Sequence, residues 1–412
     1  MHDMKDSGVE WIGEIPAHWS PIRFRFIAKI TTGNQDTQNA DPDGEYPFYV
    51  RSPIVERCNN YTFDGKGILM AGDGAGAGRV FHLVDGKYAV HQRVYRFYDF
   101  KYMDPVLLKY YLENLFATVM DYGSAKTTVP SVRLPMIQDF VVCVPPKKEQ
   151  ANIVAVLNEK CAQVGSLISN VQAQLEKLKA YKQSLITEVV TKGLDPTVPM
   201  KDSGVEWIGN IPAHWTANKI IRCFGVIGSG TTPTSADDAL FEGDINWIQS
   251  GDINGSVLSE TRFQITRDIV EETSALKVYS APFIVIAMYG ASIGNLSISQ
   301  IDACTNQACC VLSKPVNGLL LEYLFYAFKP AKDYLIWRAD GGGQPNISQE
   351  KLKSLWIPIP PNEDQVVIVQ HLNKKCGQID YLIALKQSKI EKLEQYKRSL
   401  IYEYVTGKRE VS

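Results

Sequence analysis

The phrase MKDSGVEWIGEIPAHW begins at Met4, and MKDSGVEWIGNIPAHW begins at Met200, the two differing only at Glu14 against Asn210. A match of that length excludes coincidence. Either the chain is an internal duplication, or it must present one surface twice. Two further blocks extend the correspondence. VPPKKEQANIVAVLNEKC near Val144 answers IPPNEDQVVIVQHLNKKC near Ile359, and LKAYKQSLITEVVTKG from Leu178 answers LEQYKRSLIYEYVTGK from Leu393. From the Pro-Pro pairs onward the halves keep a constant offset of 215, whereas the opening phrases are offset by 196. About 19 residues of length difference therefore lie in the intervening segments, roughly 20–143 and 216–358. The order is phrase, divergent segment, constant segment, then the same again, and it rests on letters rather than on propensity.

The constant segments carry a helical period. Every seventh residue of the first gives Leu157, Val164, Val171, Leu178 and Leu185, and positions four further on give Cys161, Ile168, Leu175, Lys182 and Val189. The second copy gives Leu372, Ile379, Lys386, Leu393 and Leu400, with Cys376, Ile383, Ile390, Lys397 and Tyr404. A seam sustained over about five heptads predicts a coiled coil. Each helix should begin just after Pro-Pro with an acid, Glu149 or Glu363, in its first turn, and the first should end near Gly193. About 40 residues at about 1.5 Å each make a rod of about 60 Å. Lys182 and Lys397 occupy the same seam position. Either a shared polar break sets the register, or the stems carry the charge out to solvent.

The divergent segments hold short β-rich runs such as GILMA, GRVFHLV, YAVHQRVYRF, FIVIAM and CCVLS, punctuated by Gly, Asn, Asp and Pro. Short helical stretches, PVLLKYYLENLF and GLLLEYLFYAF, follow in both copies. The expected fold is α+β: two mixed α/β modules joined by two long antiparallel coiled-coil helices, an internal pseudo-two-fold duplication. The blocks are 1–146 (first module), 147–193 (first helix), 194–361 (second module) and 362–412 (second helix and tail). If the helices pair antiparallel, the modules lie at opposite ends and one chain imitates a symmetric dimer.

Catalytic motifs fail when tested. GDGAGAG at Gly72 satisfies a dinucleotide fingerprint, but GRVFHLV after it reads as another strand, so no helix N-terminus awaits a pyrophosphate. The counterpart MYGASIG keeps only Gly290 and Gly294, which favours a glycine-rich hairpin loop. Acid-x-Lys patterns (Asp64-Gly65-Lys66 downstream of Pro42-Asp43, and Asp85-Gly86-Lys87) are expected by chance among 45 acids and 43 bases. No [ND]PP[FY], P-loop, G-x-S-x-G or HExxH is present. The eight cysteines form no CxxC, and Cys304, Cys309 and Cys310 lack histidines at ligand spacing, so no metal is expected. Buried, reduced thiols fit a cytoplasmic chain. His18 and His214 stand beside Trp in the repeated phrase and read as packing or capping residues. No apolar run approaches the ~20 residues that span a bilayer, and the polar start HDMKDSG does not read as a signal peptide. What remains is a binding architecture rather than an enzyme.

The layout, the GVEWIG-x-IP-x-HW phrase, the PP-x-x-EQ helix start and the Y-K-x-S-L-I-x-E-x-V ending resemble the specificity subunit of a type I restriction–modification system. The second helix start departs slightly, with Glu363-Asp364-Gln365 against Glu149-Gln150. The resemblance covers essentially the whole chain. It implies that 20–143 and 216–358 are target-recognition domains, each reading one half of a bipartite site in double-stranded DNA. The helices become a spacer that sets the gap and helps dock two methyltransferase subunits. No cofactor is expected in this chain: S-adenosylmethionine, ATP and magnesium would belong to those partners and to motor–nuclease restriction subunits. A net charge of −2 is low for a stand-alone DNA binder, so the partners would supply much of the phosphate contact. Two rivals remain: a bivalent protein-binding adaptor without DNA specificity, and an enzyme whose site is not a linear motif.

Base readout needs Arg, Lys, Asn and Gln on loops that reach base edges. Candidates in the first module are Asn34, Gln35, Arg51, Arg79, Gln92, Arg93 and Lys126. Those in the second are Thr231, Thr232, Gln249, Ser250, Tyr289, Gln307, Gln344 and Asn346. The pairs Gln92/Gln307 and Gly78/Gly294 stand at comparable places and so suit a shared loop better than different specificities. Trp11, Ile12 and Trp19, with Trp207, Ile208 and Trp215, either clamp each module to the rod or face a partner. A rod of about 60 Å spans at most about 18 base pairs at about 3.4 Å per step, so half-sites about one helical turn apart fit. Inserting one turn into both helices should lengthen the unread gap in the methylated motif; an unchanged gap would detach spacing from helix length.

Overall fold

A computed structural model describes residues 3–123, 130–233, 243–290, 292–337 and 346–411. The chain divides into two compact units, Met1–Ala173 with Gln387–Ser412, and Gln174–Lys386. These units cut across the linear blocks, because each takes the beginning of one long helix and the end of the other.

The long helices run Lys147–Lys192 and Asn362–Val405, 46 and 44 residues. At about 1.5 Å per residue they are about 69 and 66 Å long. Pro146 starts the first: its carbonyl accepts the Glu149 and Gln150 amides at 2.9 and 3.1 Å, and its missing N–H would have had no partner anyway. Gly193 and Gly407 follow the last turns at φ +75° and +70°, the left-handed conformation that only glycine adopts without strain.

In the first unit Ile153, Leu157 and Cys161 share a core with Leu400, Ile401, Tyr404 and Val405. In the second, Ile186, Val189 and Val190 share one with Ile368, Leu372 and Cys376. There Lys386 Nζ donates to Gln174 Oε1 at 2.6 Å and Lys182 Nζ to both Asp380 oxygens at 2.6 Å. Residue numbers rise on one helix as they fall on the other, so the pairing is antiparallel. The polar break at Lys182 is thus an interhelical ion pair. Val164, Val171, Leu175, Ile379 and Ile390 are buried, whereas Ile168, Leu178, Ile383 and Leu393 are half-buried. At the last heptad Leu185 is only half-buried and Ile186, at 1% exposure, takes the inward place. A helix of 3.6 residues per turn drifts against a 3.5-residue seam, and here the drift has moved the buried position by one residue.

Each module is built on the same plan. In the first, an antiparallel sheet runs Lys29–Thr32, Val94–Tyr98, Gly67–Ala71, Phe81–Val84. Beside it a sheet contains the parallel pair Tyr46–Tyr49 and Lys87–Val90. In the second the corresponding sheet runs Phe224–Ser229, Cys309–Pro315, Phe283–Ala287, Leu296–Ser299, with Val257–Leu258 added at the edge. Its parallel pair is Ile245–Ile248 with Ala303–Thr305. Most of the second module's extra length falls between Ile248 and Phe283, where it forms that edge strand and the helix Arg267–Glu272. All eight cysteines are free and buried. Among the described residues no group of His, Cys, Asp and Glu is placed to hold a metal ion.

The chain enters and leaves each module at one place, because Ser20–Arg23 pairs with Val141–Val144, and Thr216–Lys219 with Trp356–Ile359. The repeated phrase folds as a hairpin just before that pair, Met4–Asp6 with Glu14–Pro16 and Met200–Asp202 with Asn210–Pro212, in the same register. Its His-Trp ending therefore arrives at the start of a long helix. The Trp19 indole N–H donates to Glu149 Oε2 at 2.8 Å while His18 Nε2 lies 2.6 Å from Oε1. In the second copy Trp215 donates to Asp364 Oδ2 at 2.8 Å and His214 Nε2 lies 2.9 Å from the same oxygen. The counterpart of Glu149 is thus Asp364 and not Glu363, as the constant offset of 215 requires. The next residue is a buried glutamine in both. Gln150 accepts the Asp104 amide at 2.7 Å and donates to the Tyr102 and Pro145 carbonyls at 2.7 and 2.8 Å. Gln365 accepts the Leu320 amide at 2.9 Å and donates to the Pro360 carbonyl at 3.0 Å. Each glutamine ties the module's helix start to the long helix.

Ile12, Trp19, Ile208 and Trp215 are buried within their own units; Trp11 and Trp207 are partly buried at the edge of the same cores. Gln365→Ala would leave a buried amide and carbonyl without partners, which should cost the second unit roughly 2–3 kcal/mol in urea unfolding. Asp364→Ala should cost about 1 kcal/mol or more, and Glu363→Ala less than about 0.5. Equal losses from Asp364→Ala and Glu363→Ala would refute the assigned lock.

Candidate nucleic-acid interface

In both modules the parallel strand pair and the glycine hairpin end at one rim. Gly33 and Gly230 begin it. A Cβ at Gly33 would overlap the Val90 carbonyl, and one at Gly230 the Thr305 carbonyl, so only glycine lets these loops close on the strand ends. The Gln35 amide then donates to Val90 O at 3.2 Å and the Gln92 amide to Gln35 O at 2.8 Å. The hairpin loops repeat each other as well: Gly78 N donates to Ala71 O at 2.9 Å, and Gly294 N to Ala287 O at 2.8 Å. GDGAGAG is therefore a hairpin loop between antiparallel strands.

One frame position is filled by different chemistry in the two copies. His91 Nδ1 accepts the Arg93 amide at 3.0 Å, and Asn306 Oδ1 accepts the Ala308 amide at 3.1 Å. Burial, helped by the Arg51 charge, pushes the His91 pKa down, which keeps the ring neutral and able to accept.

On the first rim three charged side chains converge. Arg51 Nη1 donates to Asp73 Oδ1 at 3.0 Å, and Arg93 Nη1 donates to Asp73 Oδ2 at 2.7 Å. Asp73 is 17% exposed, Arg51 41% and Arg93 61%, so the carboxylate is recessed and both guanidinium groups face outward. Burial opposes ionisation of Asp73, but hydrogen bonds and charge from the two arginines outweigh it and hold the carboxyl below its usual range. Beside them Gln92 Nε2 donates to Asp36 Oδ2 at 2.7 Å. Asp36 is itself held low by hydrogen bonds from the Thr37 hydroxyl and amide. An open groove bordered by Thr37, Arg51, Pro53, Asp73, Gly76 and Val80 runs along this edge.

At the positions of Arg51, Asp73 and Arg93 the second rim carries uncharged residues. Tyr289 stands where Asp73 does, each one residue before a loop glycine of positive φ, Gly74 and Gly290, and each bridged to a returning segment, Asp73 to Ser131 and Tyr289 to Asn346. Ala308 replaces Arg93, and the residues after the parallel strand are Gln249 and Ser250 rather than Val50 and Arg51. The Thr232 hydroxyl donates to Gln307 Oε1 at 2.7 Å, and the Gln249 amide donates to Asp252 Oδ2 at 2.9 Å.

Of the sequence candidates, Asn34, Gln35, Arg51, Gln92 and Arg93 come together on the first rim. Arg79 lies on the returning side of the hairpin loop, exposed. On the second, Thr231, Thr232 and Gln307 meet, Tyr289 and Asn346 pair, and Gln249 and Ser250 open the turn after Ile248. Lys126 and Gln344 lie outside the described residues. Sequence reasoning passed over Asp36, Asp73 and His91. The available signal for Asp73 is an acid inside GDGAGAG, a stretch whose glycines alone carry the hairpin-loop reading.

No helix among the described residues is long and apolar enough to cross a membrane. The profile of the type I restriction modification DNA specificity domain matches residues 16–177 and 220–395. The chain is 21% identical over 422 residues to the type I restriction enzyme EcoDI specificity subunit of Escherichia coli, across 96% of this chain and 89% of that one. It is 24% identical over 421 residues to the type I restriction enzyme MjaVIII specificity subunit of Methanocaldococcus jannaschii, across 96% and 93%. A chain from a solved structure concerning complex assembly and conformational transition of the type I R-M system matches with a TM-score of 0.69 at 17% identity, covering 96% of this chain and 99% of that one, which supports the fold. Two blocks filling most of the sequence, on two modules of one plan, show that the chain belongs to the type I restriction–modification DNA specificity family.

Proposed function

We propose that the chain is the DNA-reading, non-catalytic subunit of a cytoplasmic type I restriction–modification complex. Each module reads one half of a bipartite duplex site, and the paired helices set the gap and dock two methyltransferase subunits. Motor–nuclease subunits join that core, and S-adenosylmethionine, ATP and magnesium are held by the partners. The observation that carries this reading is one backbone frame bearing two different rims, Arg51–Asp73–Arg93 against Ser250, Tyr289 and Ala308. Equal frames present side chains at equal places, and unequal side chains select unequal base edges. An adaptor binding only proteins gains support from the net charge of −2 alone.

Base-resolved methylation should be compared in cells expressing the chain with its neighbouring methyltransferase and in cells lacking the chain. A split motif appears only with the chain, and exchanging residues 20–143 changes one half of it. Absence of chain-dependent methylation by an assembled, active partner would leave the adaptor reading. In fluorescence anisotropy the isolated subunit should bind duplex DNA weakly, with Kd on the order of 10⁻⁴–10⁻⁶ M. Tight, sequence-specific binding by the chain alone would overturn the division of labour with the partners.

A further inference from the structure

The Arg51–Asp73–Arg93 cluster is more than a surface ion pair. The carboxylate is recessed, each of its oxygens is taken by a different arginine, and each guanidinium, on a side chain 41% or 61% exposed, gives it a single N–H among the described residues. A fork held in place before the ligand arrives loses less conformational freedom on binding, which is what base readout asks of a long side chain. Contact with the DNA backbone asks for the opposite arrangement. A carboxylate between two arginines repels phosphate and offsets one of their charges, so it weakens a backbone contact while sharpening an oriented one. The pair also matches one base pair: in the major groove guanine offers O6 and N7 to an arginine fork, and cytosine offers its N4 amino group to a carboxylate. Adenine presents an amino donor where guanine has O6, and thymine the O4 acceptor where cytosine has its amino group, so an A·T pair leaves part of such a set unpaired.

We propose that the first module requires a G·C pair in its half-site, read from the major groove by Arg93 and Arg51 with Asp73 as the group that orients them. The second module places Ala308, Ser250 and Tyr289 at the corresponding positions, so the arginine–carboxylate set is not repeated there. This rests on the DNA-reading function proposed above and assigns part of its specificity. Asp73 is a positioning residue, and either arginine is a base-reading one.

The test is base-resolved methylation in cells carrying the partner methyltransferase with the wild-type chain, Arg93→Gln or Arg51→Gln. In the wild type, the half-motif that changes when residues 20–143 are exchanged contains an invariant G·C pair. Arg93→Gln or Arg51→Gln relaxes that position, its preference for guanine falling roughly ten-fold or more, while the other half-motif is unchanged. The wild-type motif needs no variant to be read, and both arginines are exposed enough that replacement leaves the core intact. A first half-motif lacking a fixed G·C pair overturns the proposal. So does methylation that falls equally at all sites with the motif unaltered, the signature of a phosphate contact. If no split motif depends on the chain at all, it is the DNA-reading function that fails, a result distinct from a split motif without the G·C pair.

Discussion

Everything in this chain hangs on two adjacent residues at the start of each long helix, a carboxylate and a buried glutamine. Glu149 and Asp364 sit in a helical first turn, where the backbone amides and the helix dipole favour negative charge. Each takes an indole N–H and an imidazole nitrogen from the repeated phrase. Gln150 and Gln365 fasten the module's own helix start to the same turn. Three segments distant in sequence thus meet within two residues: the repeated phrase and the long-helix start are constant parts of the duplication, and the third, the module's own helix start, belongs to the divergent segment. Both copies keep His-Trp because an indole and an imidazole must reach one carboxylate. The carboxylate itself varies between Glu and Asp, since a shift of one methylene can be absorbed when His214 and Trp215 both turn to a single oxygen.

With the lock at the long-helix start, away from the rim, the rim is free to diverge, and the limits on that divergence are visible. Positions that hold the rim together keep their role even when the residue changes: His91 and Asn306 each accept the amide two residues on. Gly33 and Gly230 are retained because a strand carbonyl occupies the place of their Cβ. Side chains aimed outward from that frame have no such duty and differ. Extra length is accommodated between strands, as with Arg267–Glu272, rather than at the rim.

The duplication, the two long helices and their ends were legible because each has a local cause: repeated letters, a seven-residue seam, Pro-Pro before and Gly after. The strand runs and the hairpin character of GDGAGAG were legible for the same reason. What escaped depends on separation in the chain. Asp73 acquires meaning from arginines 22 residues before and 20 after it. The offset of 215 already aligns Glu149 with Asp364, but that these carboxylates receive the repeated phrase appears only once a tryptophan 130 residues earlier is seen to donate to Glu149. Glu363 is indeed in the first turn, but backbone position makes Asp364 the acid that faces the phrase. Leu185 against Ile186 is a subtler case, in which a strict heptad count ignores the rotation that accumulates along a straight helix.

The net charge of −2 takes on a physical sense beside the rim. Counterion release rewards unpaired cations spread along a backbone track, and it rewards every sequence equally. The first rim instead gives Arg51 and Arg93 a shared carboxylate, giving up part of that general attraction for orientation. A subunit made this way would be poor at holding arbitrary DNA. Within a complex whose other members gripped the phosphates, as proposed, that weakness would be useful, because the contribution of this chain to the free energy would then be mostly the part that differs between one base pair and another. Specificity is a difference of affinities, and a reader stripped of uniform attraction supplies little else.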